Sequence, residues 1–434
     1  MTEEPRKYIS TGQAAAIGVA AMVGAGIFSL LGTAGEVAGS AVWLSFVLAG
    51  VIAAFQGYSF GKLGARYPSA AGMLEYVSAS FGSAHVTAVM AWLVYAVNTI
   101  ITAMVAVSFG SYASSAFAGD DPNAAKAFAV LVVAVMTVLN IAGSTIVARV
   151  QSLVVFVVIG ILALFAIVTI LNGDRSMLNP STYPPVRTIV SSVALTFFAF
   201  LGFGVVTFTA KDLKDPAHQL PRAIIIAISI ATAIYVAVSI GVFSTLTVPE
   251  VIAAGPTAIA VAAEPVLGTA GLVLIQVTAL FATAGSTNSG LYPAIGLSDY
   301  LAARRLWPPV MASRVFGRVP MGLLAGAVAT IVLALFLDLN AIASIGSAVA
   351  LLVFTIVTAG HLRVRGETGA QLIMLVLGLV TSAIALIAFT FTTLINEPRS
   401  IVVLILILVL SVVLDLVWTR MRDDRPDPTP SAAT

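Results

Sequence analysis

Apolar residues run through this chain in long blocks, not in the short alternating or amphipathic periods of a soluble protein. Twelve blocks stand out, at approximately 12–34, 40–63, 85–117, 125–142, 148–172, 188–210, 220–246, 266–299, 321–337, 340–360, 370–394 and 400–419. A helix that crosses the hydrocarbon core of a bilayer needs about 20 mostly apolar residues. The fourth and ninth blocks are the shortest. Turn-forming clusters such as Asp120-Asp121-Pro122 and Asn179-Pro180 separate the blocks. Lipid gives backbone N–H and C=O groups no partner, so the blocks are read as helices and strands are not expected. The chain opens on the polar stretch Thr2–Ser10, and the apolar run that follows is too long for the core of a cleaved signal peptide. The predicted fold class is an all-α polytopic membrane protein with about 12 transmembrane helices.

Composition supports this reading. Hydrophobic residues make up 59% of the 434 positions and charged residues 9%, against about 25% charged in ordinary soluble proteins. The surrounding partner is therefore the lipid bilayer. With the N-terminus in the cytoplasm and one crossing per block, 17 of the 21 Lys and Arg fall on the cytoplasmic side. Lys126, Arg175, Arg187 and Arg399 fall outside. Positive residues resist translocation, so the expected localisation is a multi-pass protein of the cytoplasmic membrane with both termini cytoplasmic. A net charge of +2 gives no reason to expect nucleic acid. The absence of cysteine excludes disulfides and thiolate chemistry. His85, His218 and His361 are too scattered to suggest a metal site. There is no phosphate-binding loop, no His-Glu-x-x-His and no Gly-x-Ser-x-Gly. Hence neither ATP hydrolysis nor any other enzyme activity is expected, and no cofactor.

Two blocks carry a glycine pair in mid-membrane. The first reads Val23-Gly24-Ala25-Gly26-Ile27-Phe28, and the sixth reads Phe198-Ala199-Phe200-Leu201-Gly202-Phe203-Gly204. Glycine costs about 1 kcal/mol relative to alanine inside a helix, so each pair favours local unwinding. Backbone groups freed within the membrane must face a cavity or another protein element. Half-helix N-termini then attract anions and free carbonyls attract cations. Small residues also let helices pack closely, which is the simpler reading of either pair alone. Blocks one and six occupy the same place in two sets of five, and broken helices so placed point to a substrate site near the midplane of a transporter. This predicts a 5+5 inverted-repeat (LeuT-like) fold with helices 1 and 6 broken. The expected organisation is a cytoplasmic N-terminus (1–11), a first five-helix repeat (12–172), a second (188–360), an accessory helix pair (370–419) and a disordered cytoplasmic tail (423–434).

These residues resemble the amino acid–polyamine–organocation (APC) superfamily of permeases. The likeness rests on Gly18 to Phe28, on Phe55-Gln56-Gly57-Tyr58 with Arg66-Tyr67-Pro68, Gly72 and Phe81-Gly82, on Phe197 to Val206, and on Asp212 to Ala223. Arg304-Arg305-Leu306-Trp307-Pro308 is similar too. The resemblance implies that backbone amides around Gly24, Ala25, Gly26 and Ile27 hold a substrate carboxylate. It implies that carbonyls of Phe198, Ala199 and Leu201 beside Gly202 hold its ammonium, and that Phe198 stands where a gating aromatic is common. Gly204 replaces an acid found in some members, which argues against arginine or a polyamine. Lys211 and Lys62 stand where the family usually has acids. The fifth block, at Leu153 to Ile159, lacks the lysine of many proton-coupled members.

Other intramembrane polar residues are few and costly. The hydroxyls of Ser286 and Thr287 suit a hard cation, together with carbonyls near Ala21 and Gly24, or else they bond back to their own helix. Tyr95 and Asn98 share a helix face and line the site or join helices. Asp415 is read as the partner of Arg420. The expected function is secondary active transport of a small neutral amino acid by alternating access, coupled to Na+ or H+ or to exchange. The alternatives are a carrier of an amine, organic anion or inorganic ion, and a non-transporting receptor or scaffold. The sequence sets no oligomeric state.

Overall fold

The computed structural model of the chain describes residues 8–69, 71–142, 145–315, 319–392 and 398–423. Over the described residues, every apolar block is helical. The first is divided into α1 (Thr11–Ala25) and α2 (Ile27–Ala38), and α3 (Val42–Arg66) follows. A short helix that the apolar pattern does not announce, α4 (Met73–Phe81), precedes α5 (Ala84–Phe117), α6 (Pro122–Ala142) and α7 (Thr145–Asn172). The sixth block is also divided, into α8 (Val186–Phe198) and α9 (Phe203–Val206), before α10 (Pro216–Phe243). A second short helix, α11 (Val248–Ala254), leads to α12 (Ala258–Leu291) and α13 (Pro293–Ala303), which hold the eighth block. The chain continues through α14 (Met321–Phe336), α15 (Leu339–Arg363), the single turn α16 (Arg365–Thr368), α17 (Leu372–Thr392) and α18 (Pro398–Asp423). Among the described residues, ten continuous helical segments are long and apolar enough to cross a membrane. Two shorter apolar helices, Thr11–Gly24 and Met321–Phe336, complete the series.

Local chemistry sets the boundaries. Ser10 and Gln13 form a capping box at α1, with Ser10 N–H donating to Gln13 Oε1 at 2.8 Å and Gln13 N–H to Ser10 Oγ at 3.2 Å. Ile9 N–H reaches Asp212 O at 2.9 Å, tying the entry of the first span to the exit of the sixth. In the segment after the sixth span, His218 Nδ1 donates to Asp215 Oδ2 at 2.8 Å and holds that carboxyl below the usual carboxylate range. Gly268 adopts φ +67° within α12, so the eighth span begins at this bend and residues 258–267 form a separate lead-in. One expectation fails in a connection. Arg314–Val315 and Val319–Pro320 pair as an antiparallel ladder between α13 and α14. Lipid excludes open sheet edges only within its hydrocarbon region, and this ladder lies outside the spans. Asp423 ends α18 and does not open a tail; 424–434 and 1–7 lie outside the described residues.

The divided sixth span is the centre of the bundle, with 89% of its most apolar window buried, against 17% for α18. Rows such as Val402, Leu406 and Val409 on α18 are exposed, as expected of a lipid-facing periphery. Helix α17 is held to the bundle by polar groups. Gln56 on α3 donates through Nε2 to Gly378 O at 3.2 Å and Ser382 Oγ at 2.7 Å, and Thr358 on α15 donates to Gln56 Oε1. Ser59 and His361 Nδ1 continue the network at 2.8 Å. Asp415 pairs with His85 Nδ1 of α5 at 2.8 Å in place of the expected Arg420. Helix geometry gives the reason, because neighbours on one face are three or four residues apart, not five.

Candidate functional site

The first break is narrow. Only Gly26 separates α1 from α2, at φ −84° and ψ −78°. Its N–H donates to Met22 O at 2.7 Å and its carbonyl accepts from Leu30 N–H at 2.9 Å. The second break tightens rather than unwinds. Amides of Ala199, Phe200, Leu201, Phe203, Gly204 and Val205 each donate to the carbonyl three residues back, at 2.9–3.2 Å, the 3₁₀ pattern. Gly202 has φ −57° and ψ −21°. No left-handed backbone is involved at either glycine, so what they contribute is the missing Cβ.

That missing atom lets the two breaks touch. A Cβ on Gly202 would lie 2.5 Å from the backbone of Ala21 and Met22. One on Gly26 would lie 2.8 Å from Ala199 Cβ and closer still to the Tyr235 hydroxyl. One on Gly24 would meet Ser286 Cβ at 2.8 Å, with Ser286 Oγ and the Ala282 carbonyl nearer. The helices thus approach backbone to backbone, as small residues permit in membranes. Tyr235 on α10, absent from the sequence reading, donates to the Ala199 carbonyl at 2.9 Å and so serves both breaks. The Phe198 carbonyl accepts from Leu201 N–H at 3.2 Å and the Leu201 carbonyl from Gly204 N–H at 3.0 Å. Each carbonyl keeps a second lone pair. Ile27 opens α2 just after Gly26, and Gly26 lies against Ala199, so the N–H end of α2 and the C=O end of α8 lie beside each other.

A cavity of about 30 Å³ lies against these breaks, room for about two waters. It is lined by Ala21, Leu201, Gly202 and Gly204 from the broken spans, with Asn98 of α5 and Ser286 of α12. No lining side chain carries a charge. The sequence reading missed its other wall, which is Met73 of α4, Phe208, and Val353 and Phe354 of α15. Neither α4 nor its approach to the sixth span leaves a mark in the hydropathy. Of the predicted substrate contacts, Leu201 and Gly202 line this cavity, and Gly24, Gly26, Ile27, Phe198 and Ala199 do not; the side chain of Ala25 lies outside those described. Phe198 is buried, packed against Gly346 of α15. Tyr95 donates to Gly322 O at 2.6 Å and lines a small neighbouring cavity with Asn98. Asn98 itself donates to Val94 O of its own helix at 3.0 Å.

The two candidate ion ligands behave differently. Thr287 donates to Thr283 O of its own helix at 2.9 Å. Ser286 donates across to Ala20 O of α1 at 3.0 Å. Ser286 also lines a second cavity of about 20 Å³, with Ala20, Val23 and Gly24 on one side and Val154, Val155 and Val158 of α7 on the other. The fifth-span residues facing Ser286 are therefore aliphatic. Ser286→Ala should weaken any sodium-dependent stabilisation about 5- to 30-fold in sodium concentration, since one candidate ligand oxygen is lost and a single good interaction is worth about 1–2 kcal/mol. Melting temperature titrated with sodium against potassium measures this, and an unchanged sodium midpoint would remove Ser286 from the site.

A family model described as amino acid permease matches residues 9–420. The inner membrane transport protein YbaT of Escherichia coli (strain K12) is 29% identical over 408 residues, covering 94% of this chain and 95% of that protein. The branched-chain amino acid permease BcaP of Bacillus subtilis (strain 168) is 27% identical over 240 residues, 51% of each. A crystal structure of a manganese transporter from Eremococcus coleocola, 13% identical, superposes with a TM-score of 0.63 over 95% of this chain and 92% of that one. At that identity the likeness speaks for the fold alone, the five-plus-five inverted repeat with its first and sixth helices broken. The family and these relatives are transporters, not enzymes. With a match that runs from the first span to the end of the twelfth, this chain belongs to the amino acid permease family, within the APC superfamily of multi-pass membrane transporters.

Proposed function

We propose that the chain is a secondary active transporter of small neutral amino acids. The observation that carries the reading is the cavity beside the two touching breaks, whose lining has no charged side chain. A zwitterion supplies both charges itself. Its carboxylate meets the N–H end of α2 at Ile27, with Gly24 to Gly26 beside it, where the helix dipole favours negative charge. Its ammonium meets the second lone pairs of the Phe198, Ala199 and Leu201 carbonyls beside Gly202. An arginine or polyamine would leave a cation in an uncompensated apolar wall, at a cost of several kcal/mol.

Alternating access moves the first and sixth spans against a frame. In this reading 12–172 and 188–360 act as the two five-helix halves, and 370–419 form an accessory pair at the periphery. A cavity of about 30 Å³ is too small for an amino acid, so binding requires these spans to part. Coupling is to an ion gradient or to exchange. Ser286, bonded across to α1, favours sodium, and the valines facing it offer no amine for proton coupling of the lysine type. The distribution of Lys and Arg supports an orientation with both termini on the cytoplasmic side.

Counterflow tests the proposal. Proteoliposomes loaded with unlabelled glycine, alanine, serine or valine should accumulate the same labelled amino acid, with and without a sodium gradient. Counterflow of amines or anions alone would overturn the substrate class, and binding of a neutral amino acid without any counterflow would make the protein a receptor.

A further inference from the structure

The wall opposite the broken helices contains one methionine. Helix α4 follows α3 on the face of the bundle that the N-terminal segment also occupies, since Ile9 is bonded to Asp212 just beyond the sixth span. Its position is tightly set. Gly72, at φ +52°, caps α4, and a Cβ there would lie 2.6 Å from Thr207 Oγ1 and 3.0 Å from the Phe208 ring. Three residues on, Glu75 accepts from the Tyr300 hydroxyl and pairs with Arg304 Nη2 at 3.2 Å. The Arg304 guanidinium lies over the Tyr300 ring at 4.5 Å. Helix α4 is therefore fixed to the sixth span at one end and to α13 a turn later.

Met73, the first residue of α4, projects from this fixed point to the cavity. Its methyl carbon lies 3.2 Å from where a Cβ on Gly204 would stand. Of the two aromatic residues in the wall, Phe354 cannot give way. Phe354 is caged by Phe60 at 4.9 Å, Phe203 at 5.3 Å and Phe197 at 6.0 Å between ring centroids. Methionine has three rotatable bonds and a polarizable thioether, and adapts to irregular spaces. A substrate side chain pressing between Met73 and Phe354 thus displaces Met73 before it displaces the ring.

We propose that Met73 is the residue that sets which amino-acid side chains this transporter accepts, acting as a yielding wall opposite Gly204 on a helix clamped by Glu75. The inference rests on the amino-acid reading above. Shortening Met73 lengthens the space, and a β-branched replacement, stiff at χ1, closes the yielding route.

Competition in proteoliposomes reads it, with glycine, alanine, valine, leucine and phenylalanine inhibiting uptake of labelled alanine. Met73→Ala should favour leucine and phenylalanine over alanine by about tenfold relative to wild type, since a methylene or two in a pocket discriminates by about 10–200-fold. Met73→Ile should move the same ratio the other way. A purely structural role would scale all five inhibitors alike. An unchanged rank order in both variants, with wild type active, overturns the inference and leaves the proposed function standing. Wild type inert to the whole panel overturns both. If only one variant yields folded protein, the direction of its shift decides.

Discussion

Gly202→Ala should abolish uptake. The added methyl would lie 2.5 Å from the Ala21 carbonyl carbon and the Met22 nitrogen. These are backbone atoms of α1, so no rotamer change relieves the overlap. The sixth span must shift away from the first, and the geometry shared by the two breaks is lost. Overpacking of this kind costs about 1–3 kcal/mol, enough to lower the melting temperature and leave the protein folded. Gly204→Ala is the contrast. There the added methyl meets the tip of Met73 at 3.2 Å and Phe354 at 3.7 Å, and Met73 can swing aside. Its stability should fall by less than about 1 kcal/mol, because alanine also gains about that much helix propensity over glycine. Melting temperature in detergent and uptake in proteoliposomes, measured on both variants, separate the cases. Wild-type uptake by Gly202→Ala would mean that close contact between the breaks is not needed for transport.

Gln56→Leu should destabilise the bundle by about 2 kcal/mol while leaving substrate affinity within about twofold. The side chain is buried between α3, α15 and α17 and has three polar partners, Gly378 O, Ser382 and Thr358. Leucine fills similar space and makes none of these bonds. A polar group orphaned in a soluble core costs about 1–3 kcal/mol, but an interhelical hydrogen bond in a membrane averages about 0.6 kcal/mol. The membrane value applies, since the hydroxyls of Thr358 and Ser382 can turn to carbonyls of their own helices. Three such bonds sum to about 2 kcal/mol. The network lies outside the cavity lining, so ligand affinity should hold. Thermal unfolding together with binding of a transported amino acid is the measurement. Loss of affinity at unchanged stability would show that the α17 attachment reports to the site.

Much of this protein is written along the chain. The apolar helices were legible because transfer of apolar length into lipid is a local, nearly additive quantity that a run of residues displays by itself. Blocks one and six announced themselves through glycine pairs in mid-membrane, and both helices are divided there. The loop helix α4 was not legible, because nine residues with Glu75 in the first turn carry no hydropathy signal.

What those glycines do was decided by tertiary structure. The pairs suggest unwinding, yet Gly26 and Gly202 adopt ordinary right-handed backbone and act by admitting a neighbouring backbone. Long-range partners were equally hidden. Asp415 is joined to His85 across 330 positions, and Gln56 to Ser382 across 326. Ser286 reaches Ala20 while its neighbour Thr287 bonds at home, a difference set by which side of α12 faces α1. The sequence alone determined the membrane class, where the apolar helices lie and where two of them are interrupted, since those depend on composition within single segments. The folded bundle alone decided that the interruptions touch, that Tyr235 bridges them and that Met73 closes the cavity, since those depend on packing between segments far apart in the chain.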